Sequence, residues 1–189
     1  MVIENILIID TETSGLEPQK GAKLIEIGAL LYNVKHKQIL QTLSTFLPCD
    51  ENPVQHINHI DAEWTRCNMG TLAAVHFLYE MADHASFLVA HNAHFDEKFL
   101  NTYPLDSKFR ERKWICTKRD FEWPVQLFRN RLEDICSAMG VNYVNAHRAL
   151  TDCTFLASCF GKISDLEQRL ECAGQIVMKN DIRCGNTFR

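Results

Sequence analysis

The run Ile6 to Leu16, ILIIDTETSGL, constrains this chain more than any other stretch. Four consecutive aliphatic residues read as a buried strand, and an acidic pair, Asp10 and Glu12, follows directly. Side chains alternate along a strand, so the two carboxylates share a face roughly 7 Å apart while Thr11 takes the other. Like charges that close repel, and burial makes each one costlier. A hard divalent cation held by oxygen ligands relieves both penalties. Taken alone, the segment also reads as a polar turn, with Gly15 at the left-handed position and the acids facing water.

Composition narrows the setting. The chain has 189 residues, enough for one domain with a proper core, and carries a net charge of −4. That balance excludes a globally basic nucleic-acid binder. It conceals a local possibility, however: with four carboxylates set aside as cation ligands, the 24 acids fall level with the 20 Lys and Arg, leaving basic patches to hold phosphates. Arg110, Arg112, Lys113, Lys118, Arg119, Arg129, Arg131 and Arg148 are the candidates. Eight cysteines without a Cys-x-x-Cys pair read as thiols in a reducing compartment, not as a disulfide frame or a zinc site. The amino terminus lacks a basic n-region, and no apolar run reaches membrane-spanning length. The expectation is a cytoplasmic chain with no membrane partner.

Along the chain, 23–34 and 38–47 continue the first strand into an antiparallel meander. Residues 50–64 read as irregular, with His56 and His59 spaced like a metal pair but lacking a third ligand nearby. Leu72, Val75, Leu78, Tyr79 and Ala82 give a helical stripe over 71–84. A short strand at 86–90 leads through HNAHFD into a helix that carries Asp96 in its first turn, where a negative charge suits the dipole. A fifth strand at 113–117 precedes helices at 132–139 and 145–160, and Leu166, Leu170 and Ala173 suggest a short amphipathic helix. The sum is an α/β domain.

Asp10, Glu12, Asp96 and Asp152 together are the ligand type for two hard cations clamping a phosphoryl displacement. His147 supplies a group that accepts a proton near neutral pH. Residues five apart on a straight helix are about 140° out of register, so His147 and Asp152 cannot both face one site from within it. His147 is therefore expected just before the helix, on the loop.

These residues carry a resemblance. Asp10-Thr-Glu12, HNAHFD ending at Asp96, and His147-Arg-Ala-Leu-Thr-Asp152 resemble the three motifs of the DEDDh 3′→5′ exonucleases, which include the epsilon proofreading subunit of bacterial replicative polymerase and ribonuclease T. LIEIGALL, WICT and LEDICSAMGV extend the likeness across roughly residues 5 to 160. The resemblance implies a ribonuclease H-like α/β fold, a mixed five-stranded β-sheet with helices on its faces. It implies two Mg²⁺ or Mn²⁺ ions on Asp10, Glu12, Asp96 and Asp152, with His147 as general base in place of the tyrosine of a sister branch. It also implies that Thr11 and Thr13 backbone groups meet the terminal 3′-hydroxyl, that Leu16 or Phe95 packs on the last base, and that Asn92 orients the second motif's loop or the terminal nucleotide. Expected substrates are single-stranded DNA or RNA 3′ ends, with proofreading, repair or RNA trimming as settings, and a DNA polymerase or a second copy of the chain as partner. A non-catalytic binding module on the same fold is the alternative. Residues 1–163 are read as the exonuclease domain and 164–189 as a tail, a short helix plus the start of an appendage. One departure stands out: Asn58-His59-Ile60 occupies a loop where members of this family often carry His-Gly-Ile.

Overall fold

Five strands form one sheet: β1 (Asn5–Thr13), β2 (Leu24–Asn33), β3 (Gln38–Phe46), β4 (Phe87–Ala90) and β5 (Trp114–Cys116), in the order β3-β2-β1-β4-β5. The computed structural model describes residues 2–67, 70–103, 107–144 and 146–185, with side chains through residue 179. The first three strands are the expected antiparallel meander, while β1, β4 and β5 run parallel. The mixed five-stranded α/β architecture is as read from the sequence.

Alternation along β1 builds two cores. Ile6 and Ile8 pack with Leu30, Tyr32 and Val89 on one face. There they meet α6 (Leu132–Ala138), α7 (Ala149–Gly161) and α8 (Leu166–Gly185). Leu7 and Ile9 pack on the other face, with α3 (Thr71–Asp83), α4 (Ala93–Leu100) and Phe109 of the short α5 (Ser107–Arg110). Central strands covered on both faces explain the unbroken aliphatic runs of β1 and β2. The same alternation sends Asp10 and Glu12 to the α7 face and Thr11 and Thr13 to the α4 face.

Three local readings differ from the structure. Residues 50–64 are not wholly irregular: they hold two short helices, α1 (Gln55–Asn58) and α2 (Ala62–Arg66), the second capped by Asp61, whose carboxylate accepts from the Glu63 N–H at 2.8 Å. The helix expected over 145–160 begins at Ala149, because Arg148 is extended and His147 is left-handed at φ 67°. The helix expected from Leu166, Leu170 and Ala173 is longer than a short one, running to Gly185, and those three side chains lie in the α7-face core.

Gly28 sets how closely α7 approaches the sheet. It pairs with Asp10 across the β1–β2 ladder, and a Cβ there would collide with the backbone of Ala149 and Leu150. Cys153 completes the seat, its thiol 3.4 Å from the Gly28 carbonyl. Gly28→Ala should therefore push α7 outward. We expect a loss of about 3 kcal/mol in urea unfolding, the upper end for overpacking, with weakened divalent-cation binding. Unchanged stability and binding would show that the helix yields freely.

Candidate active site

Three of the four predicted acids converge. Asp10 and Glu12 project from β1 toward α7, and Asp152 projects back from the first turn of that helix. One ligand oxygen from each lies within 4.8 Å of the others, the one such acidic cluster among the described residues. Asp96 stands apart from this trio. It is buried on α4, and Thr11, which points to that side of β1, donates its hydroxyl to the Asp96 carboxylate at 2.8 Å. The strand thus holds two acids directly and tethers a third through the residue between them.

The charges are out of balance. Burial pushes Asp10 well above the usual carboxylate range, and the neighbouring Asp96, Glu12 and Asp152 add to it. Glu12 is raised to about 8, first by burial and then by Asp152 and Glu26, with Arg148 pulling it back. Asp96 is raised to about 7 by burial, against the Thr11 hydroxyl. Asp152 is raised to about 6 by burial, while the nearby His147 and the hydroxyl of Tyr143 lower it. Asp152 Oδ1 is buried with no hydrogen-bond partner. Clustered oxygens, raised proton affinity and an orphaned lone pair are what a divalent cation would satisfy. The donor set fits such an ion.

A fifth acid shapes the site. Glu26 on β2 sits directly opposite Glu12 in the ladder and is only 1% exposed. Like charges opposite one another destabilise a sheet. Arg148 resolves the conflict by gripping the Glu26 carboxylate with Nη2 at 2.8 Å and Nε at 3.1 Å, its guanidinium resting 5.1 Å from the Phe46 ring centre. The Ala149 N–H donates to the same carboxylate at 3.1 Å. Glu26 therefore caps α7 from a different strand, meeting one of the orphan donors at the helix start.

That grip fixes the turn holding His147. The residue is exposed and left-handed, a conformation costing roughly 1–2 kcal/mol for a side chain with a Cβ. It persists because the two residues after it are bound to Glu26. As expected, His147 stands outside the helix, where its charge is felt at Asp152.

The remaining candidates cluster at the end of β1. Leu16 is 75% exposed, and Lys98 reaches from α4 to its carbonyl at 2.9 Å while lying 5.4 Å from the Phe95 ring centre. Leu16 and Phe95 are thus joined through Lys98. A groove of about 860 Å³ is lined by Leu16 together with Gly15, Lys20, Lys23, Asp50 and Val54, and none of the four predicted acids lines it. The Thr13 hydroxyl donates to the Gly15 carbonyl at 2.7 Å. Asn92 is exposed at the start of α4 and makes no side-chain cap. His56 and His59 are exposed, and no third ligand joins them among the described residues.

With this geometry in view, comparison with known proteins is decisive for the family. The sequence model of an exonuclease family (RNase_T: Exonuclease) matches residues 7–160. The chain belongs to this exonuclease family. It is 36% identical over 101 residues to the DNA polymerase III subunit epsilon of Rickettsia prowazekii, covering 50% of this chain and 42% of that protein. It is 26% identical over 172 residues to the PolC-type DNA polymerase III of Thermotoga maritima, covering 87% of this chain and 12% of that protein. The chain thus spans less than half the length of either relative. In fold it is similar to the nuclease domain of 3′hExo, a DEDDh family member, bound to rAMP, with a TM-score of 0.70 and 17% identity over 85% of this chain and 91% of that one.

Two residues that brace the acidic strand, Asn58 and Glu26, carried no assigned role in the sequence alone. Asn58, buried, donates to the Thr13 carbonyl at 3.2 Å and accepts from the Asn52 side chain at 2.8 Å, fastening its loop to the end of β1. His59 is left-handed at φ 57°, the conformation a glycine would take freely. The signal was the departure from His-Gly-Ile. Glu26 carried only a weak signal, one acid inside an aliphatic strand. Arg148→Met should cost toward the lower end of the ~3–5 kcal/mol for breaking a buried pair, since Arg148 is partly solvated. Adding Glu26→Leu should recover most of it. A double-mutant cycle in urea tests this, and additive losses would refute the coupling.

Proposed function

We propose that the chain is a metal-dependent 3′→5′ exonuclease that hydrolyses single-stranded nucleic acid, DNA in preference, from a free 3′ end to nucleoside 5′-monophosphates. The convergence of Asp10, Glu12 and Asp152 around an unpartnered Asp152 oxygen carries this reading. Asp10, Glu12, Asp96 and Asp152 would hold two ions, Mg²⁺ or Mn²⁺. When bound, such ions supply Lewis-acid stabilisation of the attacking and leaving oxygens of an in-line displacement.

The chain's own groups do the rest. A neutral ring nitrogen of His147 takes a proton from the attacking water, whose oxygen bonds to phosphorus. The bond from phosphorus to the 3′-oxygen of the next nucleotide breaks, and that oxygen is protonated from solvent. Glu26 and Arg148 keep the His147 turn in position. Leu16 and Phe95 offer apolar surface for the terminal base, and Asn92 orients the loop that precedes Asp96. The Thr11 and Thr13 backbone groups meet the terminal 3′-hydroxyl, and the Thr13 carbonyl, which accepts from Asn58, keeps a second lone pair for it.

The epsilon relatives support DNA as substrate and a DNA polymerase as partner class. The free thiols of Cys116, Cys136 and Cys153 suit a cytoplasmic setting, and no helix among the described residues is long and apolar enough to cross a membrane. RNA trimming is the second reading, favoured by the likeness to a nuclease domain bound to rAMP. Labelled DNA and RNA oligonucleotides with free or blocked 3′ ends, assayed with Mg²⁺, Mn²⁺ or chelator, decide between them. Stepwise shortening of free-ended DNA that needs metal supports the proposal. Cleavage of blocked ends, or no cleavage with any metal, overturns it.

A further inference from the structure

The segment between β5 and α6 leaves one aromatic side chain without a role in the fold. Phe121 and Trp123 are buried in the α7-face core and partly buried Val125 and Leu127 pack against it, so alternate residues turn inward. Phe128 falls on the outward side of that alternation and is 97% exposed. Folding gains nothing from a large ring left in water.

Its position is well defined. Two residues on, the Asn130 carbonyl accepts from His91 Nε2 at 3.0 Å, and the Asn130 side chain donates to the Lys118 carbonyl at 2.8 Å. His91 Nδ1 in turn meets the Thr117 hydroxyl at 3.1 Å. A carbonyl can only accept, so Nε2 carries a proton, and burial, which lowers the ring's pKa to about 4, keeps this strut neutral. It stands where the parallel strands end. Ile8 pairs with Val89, which brings His91 level with Asp10 one strand away. With a strand spacing of about 5 Å and about 3.5 Å of reach per residue, Phe128 lies within about 20 Å of Asp10, on the same edge of the sheet. That carboxyl edge is where ligands meet open parallel sheets.

The surroundings are basic. Lys118, Arg119 and Arg129 are exposed, and Lys118 is close enough for its charge to be felt at His91. Arg131 is engaged by Asp134 at 2.9 Å and by Glu133 at 3.5 Å, which leaves Arg129, next in the chain to Phe128, and Lys118, joined through Asn130, as the exposed cations tied to this segment.

We propose that Phe128, flanked by Lys118 and Arg129, is a stacking platform for a base of the substrate strand upstream of the scissile end. The ring offers a face that any unpaired base can cover, and the cations hold the phosphates on either side. Such a platform accepts single strands and disfavours duplex, whose bases are already stacked. This inference rests on the exonuclease reading and deepens it.

Two measurements separate the two. In the first, binding of labelled dT20 and U20 to the protein is followed by fluorescence anisotropy without divalent metal, so no turnover is needed. Phe128→Ala should weaken binding of both by about tenfold, and Phe128→Trp should restore it. Arg129→Ala should reduce the slope of log affinity against log salt by about one. In the second, with metal, the ratio of kcat/KM on dT20 to that on a dinucleotide should narrow by about tenfold in Phe128→Ala, because a dinucleotide is too short to span to the platform. Equal binding of dT20 by wild type and Phe128→Ala overturns the platform and assigns the ring to a protein surface. A wild type that binds dT20 through Phe128 yet hydrolyses neither substrate keeps the platform and overturns the exonuclease reading instead.

Discussion

Asp152→Asn should sharply cut turnover while making the metal-free protein harder to unfold at pH 8. The variant removes one member of a cluster that burial and mutual repulsion hold above the usual carboxylate range. Loss of a cation ligand should cost on the order of 10³-fold in kcat, equivalent to several kcal/mol of charge stabilisation. The stability gain follows from proton linkage. Unfolded carboxylates titrate near 4, whereas folded Asp152, Asp96 and Glu12 titrate near 6, 7 and 8. The folded state therefore binds protons more tightly, and these groups impose no penalty below about pH 4. The penalty grows as pH rises through the folded values and is complete above about pH 8. The metal-free Tm should thus fall between pH 5.5 and pH 8.5, less steeply in Asp152→Asn, by about 2–4 °C for each kcal/mol of repulsion. Saturating Mg²⁺ or Mn²⁺ should remove most of the fall in wild type. A metal-free Tm flat over this range, or wild-type turnover in the variant, would remove the acids from the site.

His147→Ala should cut turnover by 10²- to 10⁴-fold, the ordinary worth of a general base, while leaving cation binding intact because every acid remains. Only neutral imidazole accepts a proton, so wild-type activity should decline toward acid pH. That decline should vanish from the residual activity of the alanine variant. His147→Gln should behave like alanine, since an amide holds a water but cannot take its proton. The measurement is a pH–rate profile of all three proteins beside a metal titration. An alanine variant that keeps near wild-type kcat and the same acid limb would make His147 a bystander.

The parts of the site visible in the sequence are those governed by local periodicity. Asp10 and Glu12 share a face because a strand repeats every two residues, and both are found facing α7. His147 had to leave the helix because five residues do not complete a whole number of turns, and its φ of 67° is that departure. Asp96 and Asp152 stood out only when set beside Asp10 and Glu12, since each alone has an ordinary reason to sit early in a helix. What stayed hidden depends on partners far along the chain. Glu26 is explained only by Arg148, 122 residues later. The helices near Asn58 are too short for any periodicity to register, and that residue matters through a contact with Thr13. Phe128 resembled its aromatic neighbours until burial separated them.

Gly28 carries one more consequence. Most proteins adjust the gap between a helix and a sheet with side chains, which have rotamers and exchange volume with their neighbours. Here backbone rests on backbone beside the acids, so the spacing between Asp10 and Asp152 has no adjustable shim. Conservative swaps deeper in either core, such as Leu for Met or Ile for Val, should alter how firmly the protein holds together without retuning which ions it accepts. The aperture of the carboxylate cage belongs to the path of the main chain. Mutational drift that keeps Gly28 can wander through the hydrophobic interior and return the same cage each time.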